Sequence, residues 1–116
     1  MKSFHPHTPS RRHMTVLPFR KYLTASEPHK ALTYGRKRHV GRNSDGRITV
    51  RHKGGGHKRL YRDIDFAYDI KDIPARILTV EYDPNRTGFI GLVTYANGAK
   101  RYVLLPKSMK VGDKFI

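Results

Sequence analysis

The residues best suited to chemistry stand in one unbroken run, Arg51-His52-Lys53-Gly54-Gly55-Gly56-His57-Lys58-Arg59-Leu60-Tyr61-Arg62. Three consecutive glycines let a main chain approach a surface that any Cβ would block. Their N–H groups can turn toward phosphate oxygens. Arg51, Lys53, Lys58, Arg59 and Arg62 surround them with positive charge. The run does not spell a nucleoside-triphosphate loop, G-x-x-x-x-G-K-S/T, because Lys58 follows His57 and Arg59 stands where a hydroxyl is required. A flexible loop with solvated charges is the plain alternative. The density of bases and the two flanking histidines favour contact with a phosphate backbone.

Other chemistries find less support. His5 with His7, or His52 with His57, could meet, but a metal site needs three or four convergent ligands. There is no cysteine and no carboxylate beside these histidines. Stacking on bases or donation to phosphate suits His52 and His57 better. Asp63 and Asp65 share one face of an alternating segment. Beside so many bases they, with Asp69 and Asp72 in the loop that follows, are expected to stay ionised and either pair locally with Arg or Lys or serve solubility, unlike a catalytic dyad with one raised pKa. Serine and threonine lack a nucleophile-elbow context, so no catalytic constellation emerges. Tyr61, between Leu60 and Arg62, is the best candidate for stacking on a base, whereas Tyr82 and Phe89 are expected to fill the core. Arg86 follows Asp83-Pro84-Asn85. In such a turn Asp83 can bond the backbone and Pro84 presets φ. The Arg86 fork is then projected outward for phosphate or guanine, with a solvated turn arginine as the alternative.

The charge balance says what this chemistry faces. Sixteen of the 24 Lys and Arg, all seven His and only two of the nine acids lie at or before Arg62, leaving eight bases against seven acids beyond it. A formal charge of +15 on 116 residues opposes compaction by self-repulsion. An anionic partner relieves it. Nucleic acid is the default, through release of condensed counterions. A membrane surface would call for a basic amphipathic helix, and the sequence shows none. Without cysteine, disulfides, thiolate zinc sites and cysteine nucleophiles are excluded. No apolar run reaches the roughly eighteen residues of a membrane span.

Elements to position these residues are legible mainly after Leu60. Residues 1–46, with Pro6, Pro9, Pro18 and Pro28 and no sustained period, read as an extended basic arm ordered on binding. Residues 47–51 alternate as a candidate strand, and residues 60–66 alternate again. Residues 75–82 and 89–95 are strand-formers, with Gly91 expected at a bulge or bend. Asn97-Gly98 suits a type I′ hairpin leading to residues 101–105, and residues 111–116 begin another strand. The fold class is mainly β: a small OB-like barrel over 47–116 behind the arm, since closure removes exposed edges.

The motifs Gly41-Arg42-Asn43, Gly46-Arg47-Ile48-Thr49, the run from Arg51 to Arg59, Tyr61-Arg62 and Glu81-Tyr82-Asp83-Pro84-Asn85-Arg86, taken together and in order, resemble the signature of ribosomal protein two of the large subunit, in its bacterial or organellar form. Thr8-Pro9-Ser10-Arg11-Arg12 resembles that family's N-terminal "TSPGRR" stretch, and Asn97 to Leu104 its next hairpin. The resemblance implies an oligonucleotide-binding-type barrel on 23S-like rRNA, with a part in joining the subunits and shaping the peptidyl-transferase region. It implies RNA contacts at Arg47, Arg51, Lys53, Gly54, Gly55, Gly56, His57, Lys58, Arg62 and Arg86, with Arg11, Arg12, Arg42, His52, Arg59 and Tyr61 completing the expected set. The arm would thread between rRNA helices. Because Arg11 and Arg12 match mature family sequence, a removable transit peptide is not expected.

Family members continue into a second, SH3-like barrel and a basic extension, whereas this chain stops at Ile116. The expectation is a split gene, with a second polypeptide supplying the rest, or a fragment. The expected partners are large-subunit rRNA, neighbouring ribosomal proteins and that second polypeptide, in a ribosome of the bacterial cytoplasm or an organelle matrix. No cofactor is expected beyond structural Mg²⁺ held by the rRNA nearby. The alternative function is a free single-stranded RNA-binding or RNA-chaperone module. An enzyme is not expected.

Overall fold

The computed structural model describes residues 1–116. In chain order the strands are β1 (Lys2–Ser3), β2 (Thr15–Val16), β3 (Thr33–Gly35), β4 (Leu60–Arg62), β5 (Ala75–Glu81), β6 (Ile90–Tyr95), β7 (Lys100–Leu104) and β8 (Lys114–Phe115). One turn of helix, α1, spans Phe19–Tyr22. The strands form a four-stranded antiparallel sheet in the order β7-β6-β5-β8 and two small ribbons, β1-β2 and β3-β4. The chain is mainly β, and its curled sheet is an OB-like half-barrel.

The core explains the curl. Both faces of β6 are buried: Ile90 and Leu92 pack with Ile64 and Tyr102, while Val93 and Tyr95 pack with Ala75, Ile77, Val80 and Val103. On β5 the inward set changes parity, Ala75 and Ile77 and then Val80. Ile77 pairs with Val93 and Thr79 with Leu92, so Leu78 is the extra residue of a β-bulge. A bulge bends its strand and sharpens the local twist. The break thus falls in β5 and not at Gly91. Gly91 serves close packing instead: a Cβ there would stand 2.8 Å from the Leu105 methyls.

The structure corrects several expectations. Residues 47–51 form no strand; Ile48 makes only an isolated bridge to Arg42, and Ile48 and Val50 stay exposed for want of a sheet to cover them. The β6–β7 connection is not type I′. Only Gly98 has positive φ, its N–H donates to Tyr95 O, and Asn97 Oδ1 accepts from Ala99 N. This is the pattern of a three-residue loop with glycine in the left-handed position. Nor do the first 46 residues trail freely. Thr24 donates its N–H to Val80 O and accepts from Val80 N at Oγ1. The His29 N–H donates to Tyr102 Oη, which donates to Glu81 Oε2, both at 2.7 Å. A buried hydroxyl and carboxylate thereby tie this segment to the sheet, with Leu23 and Leu32 packed on the two cores. Tyr82 is 47% exposed against Phe19 and does not fill the core, whereas Phe89 packs on it. The molecule is a plate, 49 × 48 × 20 Å, with a radius of gyration of 18.4 Å against roughly 13 Å for a compact chain of this length.

Candidate nucleic-acid interface

The β3–β4 ribbon positions the basic residues. Thr33, Tyr34 and Gly35 pair with Arg62, Tyr61 and Leu60. Residues 36–59 are therefore an excursion from one end of a two-stranded ribbon, with nine Lys and Arg, three His and one acid, Asp45. Few bonds hold it. Gly41 O accepts from the N–H groups of Thr49 and Val50, at 2.9 and 3.1 Å. Gly41 has φ of +74°, and a Cβ there would run into Val50 O. Arg38 donates to Gly55 O and His57 O, at 3.4 and 3.3 Å. That guanidinium shapes the glycine segment from across the loop.

Between the excursion and the turn after β5 lies an open cleft of about 600 Å³, lined by Arg36, Lys37, Arg38, His39, Arg59, Tyr61, Asn85 and Arg86. Five of the eight are permanent cations and none is acidic. A second groove, on Gly55, Gly56, His57 and Lys58, shares Arg36, Arg38 and Arg59 with the first. A third, on Lys53 and Gly54, shares Arg38. Together they form one cationic trough. Only Arg86 and Arg101 of all the bases come within 4 Å of a carboxylate, Asp83 and Asp69 respectively. The charge in residues 1–62 is thus uncompensated within the chain. Local pairing of Asp65 with a base, expected above, does not occur: Asp65 is buried and accepts from Ala67 N and Tyr68 N.

The glycine triplet adopts φ of +129°, +65° and +76° at Gly54, Gly55 and Gly56. Left-handed backbone costs an ordinary residue roughly 1–2 kcal/mol, so three in succession require glycine. None of the three N–H groups donates to an acceptor in the chain, and every residue from 51 to 60 is exposed. A Cβ on Gly55 would meet nothing within 4 Å. Bare main chain with free donors, ringed by bases, suits phosphate oxygens.

At the cleft's other wall, Asp83 is fully buried. It accepts from Asn85 N at 2.9 Å, Asn85 Nδ2 at 3.0 Å and Arg86 Nε. Asn85 Nδ2 also donates to Leu60 O at 3.0 Å, which clips the turn to β4. Arg86 is not projected freely outward as expected. Its Nε is held by Asp83, its guanidinium lies 5.5 Å from the Phe66 centroid, and its side chain is 21% exposed.

The structure thus gathers Lys53, the glycines, His57, Lys58, Arg59, Tyr61 and Arg86 into one trough. Arg42, Arg47, Arg51 and His52 lie exposed elsewhere on the excursion. Arg11 and Arg12 belong to the separate N-terminal ribbon, where Arg11 lies 5.6 Å from the Phe4 centroid. Arg62 is a correction. It is 8% exposed, donates to Leu60 O and lines an apolar hollow with Phe19, Leu23 and Tyr82. Its place on the inward face of β4 withdraws it from a polyanion. Sequence reasoning missed Arg36, Lys37, Arg38, His39 and Asn85. The unbroken basic stretch 36–39 was the available signal, and only the β3–β4 pairing brings it opposite Arg59.

A mainly β, OB-like unit with an acid-free cationic trough is a nucleic-acid-binding protein by construction. Residues 29–116 match the RNA-binding N-terminal domain of ribosomal proteins L2, and the chain belongs to that family. It is a ribosomal component from a family of structural RNA-binding proteins.

Proposed function

We propose that the chain is a structural constituent of the large ribosomal subunit that binds and stabilises 23S-like rRNA, supporting subunit association and the peptidyl-transferase region. The observation that carries this reading is the trough itself: five cations and no acid around the first cleft, continuous with unpaired glycine amides. Lys and Arg neutralise phosphates, the glycines admit the backbone closely, and the β3–β4 ribbon and the Asp83 turn hold the walls apart. The contacts proposed are Lys53, Gly54, Gly55, Gly56, His57, Lys58, Arg59, Tyr61 and Arg86, with Arg36, Lys37, Arg38 and His39 added. Arg42, Arg47, Arg51 and His52 on the excursion, and Arg11 and Arg12 on the N-terminal ribbon, reach neighbouring phosphates. Neighbouring ribosomal proteins are the proposed protein partners; any Mg²⁺ nearby belongs to the RNA.

Sedimentation of the tagged chain in a cell extract tests this. The chain should travel with large subunits and leave them as salt rises. Recovery on small subunits, or free of ribosomes at low salt, would contradict it.

A further inference from the structure

Tyr34 and Tyr61 are cross-strand partners on the β3–β4 ribbon, with ring centroids 5.1 Å apart and planes tilted by 43°. The Arg36 guanidinium lies 5.7 Å from the Tyr61 centroid. Tyr61 is half-buried by these neighbours, and it lines the cleft. Tyr34 is 52% exposed, and Tyr61 is the sole ring that meets it. The other exposed rings differ. Phe19, Tyr22 and Tyr82 lean on one another or on Phe89, Phe66 lies under Arg86, and Tyr68, though exposed, lines none of the trough's three grooves. Tyr34 is therefore the open end of a short aromatic row whose other members, Tyr61 and Arg36, already stand at the cationic cleft. Gly35 separates Tyr34 from Arg36, and a Cβ at Gly35 would meet nothing within 4 Å.

We propose that Tyr34 is a stacking platform for one unpaired RNA base, which lies on the exposed Tyr34 ring while its phosphate enters the cleft beside Arg36 and Arg59. The inference rests on the rRNA reading above and deepens it: the trough takes an RNA with an extruded nucleotide, not a continuous duplex. A paired base keeps both faces inside its helix, whereas an unstacked base offers a face to an aromatic side chain.

The sequence contains no tryptophan, so Tyr34→Trp places a single fluorescent reporter at the platform. The full chain is titrated with a short hairpin RNA carrying one bulged adenosine and with the same hairpin fully paired. The tryptophan emission should be quenched by the bulged RNA alone. Tyr34→Ala should lower the ratio of bulged to paired affinity about tenfold, and Tyr34→Phe should preserve it. Equal quenching by both hairpins, or an unchanged ratio in Tyr34→Ala, overturns the inference alone. Failure of the unaltered chain to bind either hairpin overturns the rRNA reading as well.

Discussion

Lys37, Lys58 and Arg59 line the trough, yet their side chains bond to nothing else in the chain. Replacing all three with glutamine removes charge without removing an internal contact. Each phosphate neutralised contributes about 0.7 to the slope of log K against log salt for single strands and about 0.9 for duplex. The triple variant should therefore show a slope shallower by about 2 to 3. Extrapolated from 1 M, the loss of affinity at about 0.15 M salt is roughly 50- to 150-fold, and at 1 M it vanishes. Filter binding to a large-subunit rRNA fragment across a salt series, on both proteins, measures both quantities. The melting temperature should not fall, because like charges are being removed from a crowded loop. An unchanged slope, or a loss that persists undiminished at 1 M, would refute phosphate neutralisation at this trough.

Three further outcomes follow from the geometry. Gly55→Asn tolerates left-handed φ but puts a side chain on the open main chain, so it should weaken rRNA binding more than Lys58→Gln does; equal effects in the same filter assay would end the close-approach argument. Asp83→Asn leaves three donors facing one acceptor oxygen and an amide, and urea unfolding should show a loss of about 3 kcal/mol; a loss below about 1 kcal/mol would show that the turn holds without its carboxylate. Tyr102 and Tyr95 are held protonated beyond the ordinary tyrosine range, by burial first, and then by Glu81 at Tyr102 and by Asp65 at Tyr95. A folded pKa raised above the unfolded value of about 10 contributes stability that is complete below that pH and lost as pH rises through and beyond it. Tyr102→Phe should therefore cost about 1–3 kcal/mol at neutral pH, since Glu81 and the His29 N–H each lose a partner, and should flatten the alkaline decline. Parallel decline of the two proteins above about pH 10 would contradict the assignment.

How much was legible differs along the chain. β5, β6 and β7 follow from runs of strand-forming residues bounded by Asp83-Pro84-Asn85 and Asn97-Gly98, because local propensity and tertiary pairing agree there. The glycine triplet and its bases likewise declare an exposed surface for anions. Arg62 misled because the motif resemblance placed it among the RNA contacts, although it shares a strand face with the buried Ile64, and that side is closed by the docked segment 19–26. The ordering of residues 23–35 was hidden for a related reason. Thr24, His29 and Leu32 show no periodicity, and their anchors, Val80, Tyr102 and Glu81, stand some fifty to seventy residues away. The strand expected at 47–51 had the pattern but no neighbour, and Ile48 and Val50 point to solvent. Arg36, Lys37 and Arg38 became part of a site only through the pairing of Tyr34 with Tyr61.

A density map of the assembled large subunit containing this chain tests the central claim most directly. Arg36, Arg38, Lys58 and Arg59 should lie within about 3 Å of rRNA phosphate oxygens, with the Gly54–Gly56 amides turned toward the same strand. A map that left residues 52–59 in open solvent, or packed solely against protein, would contradict the account.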